Sequence, residues 1–181
     1  MPPIEDPERH FERLFRTHYP AVRAYVRRRA TEERVDDIVA EVFLVAWRRR
    51  ERVPDDPLPW LYAVGRRVLS SDARVARRRH SLWARLNAQP VVASDAGGEG
   101  PEAGDDGPLE AALAQLPARE REALMLIAWE GLTPAQAAAA IGDSPGTFRV
   151  RLHRARRRAE RLLAAAETSS SPELTHDRSS H

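Results

Sequence analysis

Apolar and polar residues follow a helical period along most of this chain. In the first half, apolar positions recur every three or four residues in three successive segments, at 11–26, 38–47 and 60–69. This spacing places the apolar side chains on one face of an amphipathic helix. No segment shows sustained alternation with period two, which would indicate a β-strand. The pattern therefore predicts an all-α fold.

Capping residues and prolines predict where the helices of the first half begin and end. Thr31 is a predicted N-cap with acidic residues in the turn that follows, and Arg48–Arg50 lie where cations favour a helix C-terminus. The three prolines within 53–59 interrupt the helical pattern because proline fixes φ and donates no N–H. A third helix is predicted from about Pro59, and Pro20 predicts a bend or a restart in the first helix.

The second half contains the pattern of a helix-turn-helix. A helix is predicted after Pro117 and through Trp129, with Gly131 as its C′ residue. The next helix has the signature of a capping box, in which the N-cap, N1 and N3 residues are Thr133, Pro134 and Gln136. That helix ends at Gly142, and Ser144 caps the last helix of the chain. A helix, a tight turn and a second helix are the plan of many DNA-binding domains.

The last helix is predicted to have one apolar and one outward face. Phe148, Leu152, Ala155 and Ala159 share the apolar face, which should pack on the preceding helices. The residues on the opposite face are Val150, His153, Arg154 and Arg157, with Arg149 on the flank. Arginines there can donate two hydrogen bonds to guanine O6 and N7 or clasp a phosphate. The alternative is a basic helix face that is only solvated.

Charge is strongly segregated, although the formal net charge of the 181 residues is only +2. All 29 basic residues are arginine; residues 1–86 hold 19 of them against 13 acidic residues, and residues 144–163 hold seven. Residues 87–108 hold five acidic residues and no arginine. Two basic segments separated by an acidic one indicate two surfaces for a polyanion. The exclusive use of arginine fits either a GC-rich codon composition or selection for guanidinium chemistry.

Composition also predicts the domain organisation. Residues 87–108 consist largely of glycine, proline, alanine and acidic residues, which is typical of a flexible linker. Residues 168–181 are predicted to be a disordered tail. The remaining segments, 1–86 and 109–167, are each small enough that they must form compact helical units.

Several classes of function are disfavoured by the residues that are missing. The chain has no cysteine, which excludes a disulfide framework, a zinc finger and a thiol nucleophile. The six histidines are scattered and no nucleophile–base constellation is visible, so we expect no catalytic residue, no metal site and no cofactor. No apolar run approaches the ~20 residues that span a bilayer, and residues 1–9 lack the apolar core of a signal peptide. We therefore expect a cytoplasmic protein without direct membrane insertion.

Both halves of the chain resemble the bacterial RNA polymerase sigma-70 family, in its small extracytoplasmic-function (ECF) class. The segment Val35–Arg48 resembles region 2.2 of that family, and Trp60–Arg79 resembles regions 2.3 and 2.4. In the second half, Leu113–Leu126 resembles region 4.1 and Gly131–Arg158 resembles region 4.2. The resemblance covers most of residues 9–164. Both blocks in this order are more specific than a helix-turn-helix alone.

The resemblance implies that residues 1–86 dock on core polymerase and recognise and melt the −10 element of a promoter. The region 2.2 helix of such proteins docks on a coiled coil of the largest polymerase subunit. Here that helix offers Asp36, Asp37 and Glu41 beside an apolar row. Complementary charge would orient the docking. Acidic residues early in a helix also suit its dipole, and the two roles are compatible.

The resemblance further implies contacts with −10 DNA in the loop at 50–59 and along the third helix. The corresponding residues are Trp60, Tyr62, Arg66, Arg67, Arg74, Arg77 and Arg78. Unpaired bases stack on aromatic or guanidinium planes, whereas the arginine cluster at 74–79 favours phosphate contacts. Trp60 fits core packing as well as it fits a base contact.

The −35 element is assigned by the same resemblance to the last helix of a region 4-like unit at 109–167. The implied contacts are Thr147, Arg149, Val150, His153, Arg154 and Arg157. The implied partners are core RNA polymerase, promoter DNA and an anti-sigma factor, since members of this class are commonly held inactive by one. The free chain is expected to be a monomer.

One alternative function uses only the helix-turn-helix. A stand-alone transcriptional regulator would bind duplex DNA without core polymerase. It would leave the first half of the chain without a role and would usually need a dimer interface, which the sequence does not reveal.

Overall fold

The structure is a computed structural model that describes residues 6–86 and 107–170. Within these residues all regular structure is helical, which confirms the predicted fold class. The helices are α1 Pro7–Arg27, α2 Glu32–Arg48, α3 Pro57–Leu86, α4 Pro108–Ala114, α5 Ala118–Ala128, α6 Pro134–Ile141 and α7 Pro145–Ser170. A short 3₁₀ turn, Arg50–Arg52, follows α2.

Helices α1, α2 and α3 pack against one another and form a first helical unit. Its core is built from the apolar stripes that the sequence shows, including the buried residues Val22, Ile38, Val42 and Leu61. Aromatic rings extend this core along α1 and α2, where the Phe15 and Phe43 ring centroids are 4.7 Å apart in an edge-to-face arrangement. Such pairs add to the stabilisation that burial of apolar area provides.

Helices α4 to α7 form a second helical unit, in which α4, α5 and α6 all pack on α7. Phe148 of α7 is fully buried, and Leu152 and Ala155 continue the same buried face. Alanines at 137, 138 and 140 are buried on α6 and allow that short helix to approach its neighbours closely.

The turn of the helix-turn-helix has the predicted chemistry. The Thr133 hydroxyl accepts a hydrogen bond from the Gln136 backbone N–H at 3.3 Å, and the Gln136 side chain accepts one from the Thr133 N–H at 2.9 Å. Gly142 ends α6 with φ of +75°, a left-handed conformation that glycine adopts without strain. Ser144 Oγ then accepts the Thr147 N–H at 3.2 Å and caps α7. The capping predictions for α6 and α7 are therefore confirmed.

Some helix boundaries differ from the predictions. Helix α1 continues through Pro20. Proline has no N–H to donate, so one carbonyl of the preceding turn lacks its helical partner, but Pro20 is exposed and water can bind that carbonyl. Thr31 occupies the N-cap of α2, but its side chain makes no capping hydrogen bond. Gly131 has the predicted left-handed φ of +65°, but α5 ends at Ala128 with Trp129 as its C-cap, so Gly131 lies one residue beyond the C′ position of the observed helix. Helix α3 begins at Pro57, two residues early, since proline suits the first helical turn.

The two helical units are in contact. One continuous cluster of buried apolar residues runs through both, and α6 packs on α3. The predicted linker, 87–108, lies outside the described residues except for 107 and 108, and α4, which the sequence analysis did not predict, begins at Pro108. Helix α7 ends at Ser170, three residues into the predicted tail, and the rest of that tail lies outside the described residues.

Candidate nucleic-acid interface

The outward face of α7 is exposed, as the helical projection predicts. Val150 keeps 52% of its surface exposed although it is apolar and lies two residues from the buried Phe148. The other exposed residues of this face are Arg149, His153, Arg154 and Arg157. A helix with a packed inner face and an exposed outer face of this chemistry fits the major groove of DNA.

The N-terminus of α7 is held by short-range polar contacts. The Thr147 and Ser144 hydroxyl groups are hydrogen-bonded at 2.9 Å, so Thr147 is exposed but has a fixed position. Arg151 is ion-paired with Asp143 in the turn that precedes the helix. Free backbone N–H groups at a helix N-terminus attract phosphate oxygens. Thr147 lies where such a phosphate contact would occur.

On α3, four of the predicted −10 contacts form an exposed basic surface. These are Arg67, Arg74, Arg77 and Arg78. Arg74 Nε donates to the Ser70 carbonyl at 3.1 Å and so lies along the helix. The other three predicted −10 contacts are less exposed than these four arginines.

Tyr62, Arg66 and Trp60 are wholly or partly covered in this arrangement. Tyr62 is only 2% exposed, and its ring stacks on Tyr25 with centroids 4.7 Å apart. Arg66 Nη2 donates to the Ile141 carbonyl at 3.0 Å, at the end of α6. Trp60 is half-buried against the core. In the described arrangement Tyr62 therefore has a packing role and offers no surface to a base.

The loop between α2 and α3 carries a dense cluster of arginines. Four of the five residues at 48–52 are arginine, and they line a shallow pocket with Glu51. The Arg50 guanidinium carbon lies 4.8 Å from the centroid of the Trp47 ring. Stacking of this kind holds a guanidinium in place and leaves its edge free to donate hydrogen bonds.

The three predicted docking acids lie on α2 and are exposed. Asp36 Oδ1 lies 3.4 Å from Arg23 Nε, and Asp37 Oδ2 lies 2.7 Å from Arg34 Nη1. Their side chains nevertheless keep 80% and 70% of their surface exposed. Glu41, one turn further along, is also exposed. This group of acids is accessible to a basic partner.

Sequence reasoning missed a cluster of charged residues where the two helical units meet. Arg29, just after α1, donates from Nε to Glu122 Oε2 at 2.9 Å and from Nη1 to Glu130 Oε1 at 2.8 Å. Arg28 is also paired with Glu130, and the Tyr25 hydroxyl donates to Glu122 Oε1 at 3.1 Å. We call these five residues the junction cluster. No local pattern signals it, since its partners lie about a hundred positions apart in sequence.

The junction cluster is removed from solvent. The side chain of Arg29 is 10% exposed and that of Glu130 only 1%. The Arg29 guanidinium carbon also lies 3.8 Å from the centroid of the Tyr25 ring. Burial alone would lower the pKa of Arg29. The charge of Glu122, its hydrogen bond to Arg29 and the charge of Glu130 outweigh the effect of burial, so the pKa of Arg29 is raised. The guanidinium therefore stays charged, and its partners satisfy most of its donors.

Both tyrosines at the junction have perturbed acidities. Burial, reinforced by the charge of Glu122, raises the pKa of Tyr25 far above its usual range. Burial and the charge of Glu130 raise the pKa of Tyr62 to about 12. Both hydroxyls remain protonated at neutral pH.

A cavity of about 410 Å³ opens beside the junction cluster, between the two units. Arg66 of α3 lines it together with Arg119, Glu122, Asp143 and Arg151 of the second unit.

Among the residues that the structure describes, no group of three histidine, aspartate or glutamate side chains could hold a metal ion. Across residues 6–86 and 107–170, no helix has an apolar stretch long enough to cross a membrane.

The comparisons with known proteins agree with this architecture. The family model for sigma-70 region 2 matches residues 14–79, and the model for sigma-70 region 4 matches residues 106–158. The RNA polymerase sigma factor NccH of Alcaligenes xylosoxydans xylosoxydans is 31% identical over 144 residues, 75% of this chain and 76% of that protein. The ECF RNA polymerase sigma factor EcfG of Rhodopseudomonas palustris (strain TIE-1) is 32% identical over 152 residues, 80% of each chain.

Two solved structures of similar fold contain sigma factors as well. The sigma factor RpoE from Bartonella quintana, solved with the anti-sigma factor NepR, is 26% identical with a TM-score of 0.63, covering 86% of this chain and 97% of that one. CnrH, solved with the cytosolic domain of CnrY, is 26% identical with a TM-score of 0.59 and covers 91% of each chain. The matches to both sigma-70 regions and to these relatives show that the chain belongs to the sigma-70 family of RNA polymerase sigma factors, in its ECF class.

Proposed function

We propose that this sigma factor binds core RNA polymerase and directs initiation at promoters through separate contacts with the −10 and −35 elements. The observation that carries the proposal is the exposed outward face of α7 over the buried Phe148, in a chain that also carries an intact region 2. A helix-turn-helix supplies duplex recognition, and region 2 supplies the polymerase and single-strand contacts that a simple repressor lacks.

Each surface has a distinct role in this proposal. Arg149, Val150, His153, Arg154 and Arg157 contact bases and backbone of the −35 element, and Thr147 contacts a phosphate. An apolar Val150 suits a thymine methyl group. On α3, the exposed Arg67, Arg74, Arg77 and Arg78 follow the −10 backbone, while the partly exposed Trp60 and Arg66 contact the unpaired strand. Tyr62, which is 2% exposed and stacked on Tyr25, is not assigned a base contact. Asp36, Asp37 and Glu41 orient the chain on the polymerase.

The proposed partners are core polymerase, promoter DNA and an anti-sigma factor. Two of the similar structures are complexes, of RpoE with the anti-sigma factor NepR and of CnrH with the cytosolic domain of CnrY. We also propose that the chain acts as a monomer in the cytoplasm, where polymerase and promoters are found. It contributes specificity and strand capture to initiation, while the polymerase performs the chemistry.

The test compares binding to core polymerase with binding to DNA alone. Purified chain is titrated against core polymerase, and separately against a duplex that carries the region upstream of its own gene. We expect tight binding to core, and promoter binding that depends on core. Tight duplex binding with no affinity for core would instead support a stand-alone regulator.

A further inference from the structure

Three arginines from three different helices line the cavity between the two helical units. They are Arg66 of α3, Arg119 of α5 and Arg151 of α7. Like charges at close range repel one another, so arginines that share a cavity are stabilised by carboxylates or by an anionic ligand among them. The carboxylates that line this cavity are those of Glu122 and Asp143.

Both of these carboxylates are already engaged by a guanidinium group. Asp143 is ion-paired with Arg151, and the side chains of this pair are mostly buried, at 15% and 16% exposed. Glu122 Oε2 accepts a hydrogen bond from Arg29 Nε at 2.9 Å. Neither carboxylate is therefore left to pair with the other two arginines of the cavity.

Arg66 has a donor that the protein does not use. Its Nη2 donates to the Ile141 carbonyl at 3.0 Å. Its Nε is buried and has no hydrogen-bond partner among the residues that the structure describes. Burial of a donor without a partner is costly, and buried donors therefore almost always have one. A ligand oxygen in the cavity would satisfy this donor.

The N-terminus of α5 brings further donors to the same cavity. Ala118 and Arg119, the first two residues of this 11-residue helix, both line it. The first N–H groups of a helix have no helical acceptor, and Pro117 at the N-cap supplies no side-chain acceptor. These N–H groups and the positive end of the helix dipole favour an anion. The exposed Arg119 side chain makes no ion pair with any described residue, so its guanidinium is free to bind one.

We propose that this cavity is a binding site for the phosphate group of a small phosphorylated molecule. A phosphate monoester is close to a dianion at neutral pH, which matches the two uncompensated charges of Arg66 and Arg119. Its oxygens accept hydrogen bonds from guanidinium groups and from N–H groups at a helix N-terminus. The volume of about 410 Å³ lies in the range of small-molecule sites and exceeds the space that one phosphate group fills. The rest of the cavity holds the organic part of the ligand.

Occupancy of the cavity has a consequence for DNA binding because Arg66 is also a predicted −10 contact. Its guanidinium cannot bind a ligand phosphate and a promoter strand at the same time. A ligand that prefers the form of the chain in which Arg66 lines the cavity shifts the population toward that form. The ligand therefore competes with capture of the −10 strand. This consequence rests on the proposed function, whereas the site itself does not.

Isothermal titration calorimetry of the purified full chain, without core polymerase or DNA, tests the site. The probes are inorganic phosphate and three monoesters, namely adenosine monophosphate, glucose phosphate and glycerol phosphate. Salt at about 0.15 M weakens binding to exposed arginines elsewhere on the chain. We expect saturable binding of a single phosphate, and about tenfold tighter binding of at least one monoester, whose organic part also contacts the cavity wall. Adenosine, glucose and glycerol, which lack the phosphate, should not bind.

Two variants alter the cavity without removing a contact that the fold uses. Arg119→Gln removes an exposed guanidinium, and Ala118→Asp places a carboxylate at the N-terminus of α5, where an acidic residue suits the helix dipole. Each should weaken binding of phosphate and of the tightest monoester about tenfold or more, because each removes or opposes a charge-assisted contact. Arg27→Gln makes the same change at an exposed arginine that does not line the cavity, and it should leave the affinity unchanged. Circular dichroism checks that each variant is folded, and either folded cavity variant is sufficient for the test.

The calorimetric outcomes separate a built site from incidental binding. No saturable binding of phosphate overturns the site. Binding that the folded cavity variants leave unchanged also overturns it, since that result identifies an adventitious ion only. If the variants weaken the binding of phosphate but none of the monoesters binds more tightly than phosphate, the cavity takes free phosphate, and its assignment to a phosphorylated molecule is wrong.

Run-off transcription tests the competition with DNA. Chain mixed with the tightest monoester before core polymerase is added should give less promoter-specific transcript, whereas Arg119→Gln should be insensitive to the ligand. Equal inhibition of both chains, or no inhibition of either, overturns the competition at Arg66 and leaves the site to the calorimetry. A chain that gives no promoter-specific transcript under any condition contradicts the proposed function, and the calorimetry still decides the site.

Discussion

Arg34 of α2 donates from Nη2 to Asp72 Oδ1 of α3 at 2.5 Å, while its Nη1 donates to Asp37, one of the predicted docking residues. The guanidinium therefore links the predicted polymerase surface to the predicted −10 helix. All three side chains remain partly exposed, so each pair contributes at most about 1 kcal/mol to stability. Asp37 is thus available for a partner at little cost to the fold.

Reversal of the charge at Asp37 tests the docking surface. Asp37→Arg should weaken binding to core polymerase about tenfold because it places a cation where complementary charge is expected. The free energy of unfolding should change by no more than about 1 kcal/mol. The affinity for core polymerase is measured by competition with another sigma factor. The control is Glu33→Arg, which makes the same charge reversal at an exposed acidic residue of the same helix. Equal competition by Asp37→Arg and the unaltered chain would contradict the docking role.

Removal of Arg154 tests the −35 surface. A bidentate contact between arginine and guanine contributes about 1–3 kcal/mol of discrimination, so Arg154→Ala should reduce transcription from the cognate promoter about tenfold or more. Binding to core should stay unchanged. Arg156→Ala removes an exposed arginine of the same helix that lies off the predicted outward face. Two results would count against a role of Arg154 in −35 recognition. One is a loss of core binding in Arg154→Ala, and the other is an equal loss of promoter-specific transcription in Arg154→Ala and Arg156→Ala.

The cap of α6 should matter for stability. Thr133→Ala removes the hydroxyl that accepts the Gln136 N–H, and such losses cost about 1 kcal/mol. Thr133→Ser retains an oxygen at the same position and should restore most of the stability. Urea unfolding followed by circular dichroism measures both. Equal stability of the alanine and serine variants would show that the capping box contributes nothing measurable.

Trp60 combines a packing role with a proposed base contact. Trp60→Ala should impair promoter melting, as measured by permanganate reactivity of unpaired thymines, because unpaired bases gain about 1–3 kcal/mol from each aromatic platform. Trp60→Phe keeps a ring for stacking and should retain most of the melting. Circular dichroism must show that the alanine variant is folded, since Trp60 packs on the core. If folded Trp60→Ala melts the promoter normally, Trp60 is a core residue only.

The sequence predicts most of the local structure because local chemistry decides it. Thr133 and Gln136 form their capping box within one turn, and the spacing of Phe148, Leu152 and Ala155 separates the two faces of α7. The outward position of Val150 follows from the same projection. These features depend on neighbours within about four residues, which periodicity and capping rules describe well.

The junction between the helical units could not be predicted in the same way. Arg29 and Glu130 are separated by 101 positions, and each looks like an ordinary surface charge in its own segment. The hydrogen bond from Arg66 to the Ile141 carbonyl has the same origin, since its two residues belong to different units. Tertiary contacts across a long connection leave no periodic signal. The resemblance to the family describes the two regions separately and is silent on how they pack.

The most direct measurement is run-off transcription with purified core polymerase on a template from the region upstream of the chain's own gene. Addition of the chain should produce a transcript with one discrete start, which Arg154→Ala strongly reduces and Arg156→Ala does not. If no promoter-specific transcript forms on this or any other genomic template although the chain is bound to core, or if core alone gives the same transcript, the account of this protein as a promoter-specificity subunit would be contradicted.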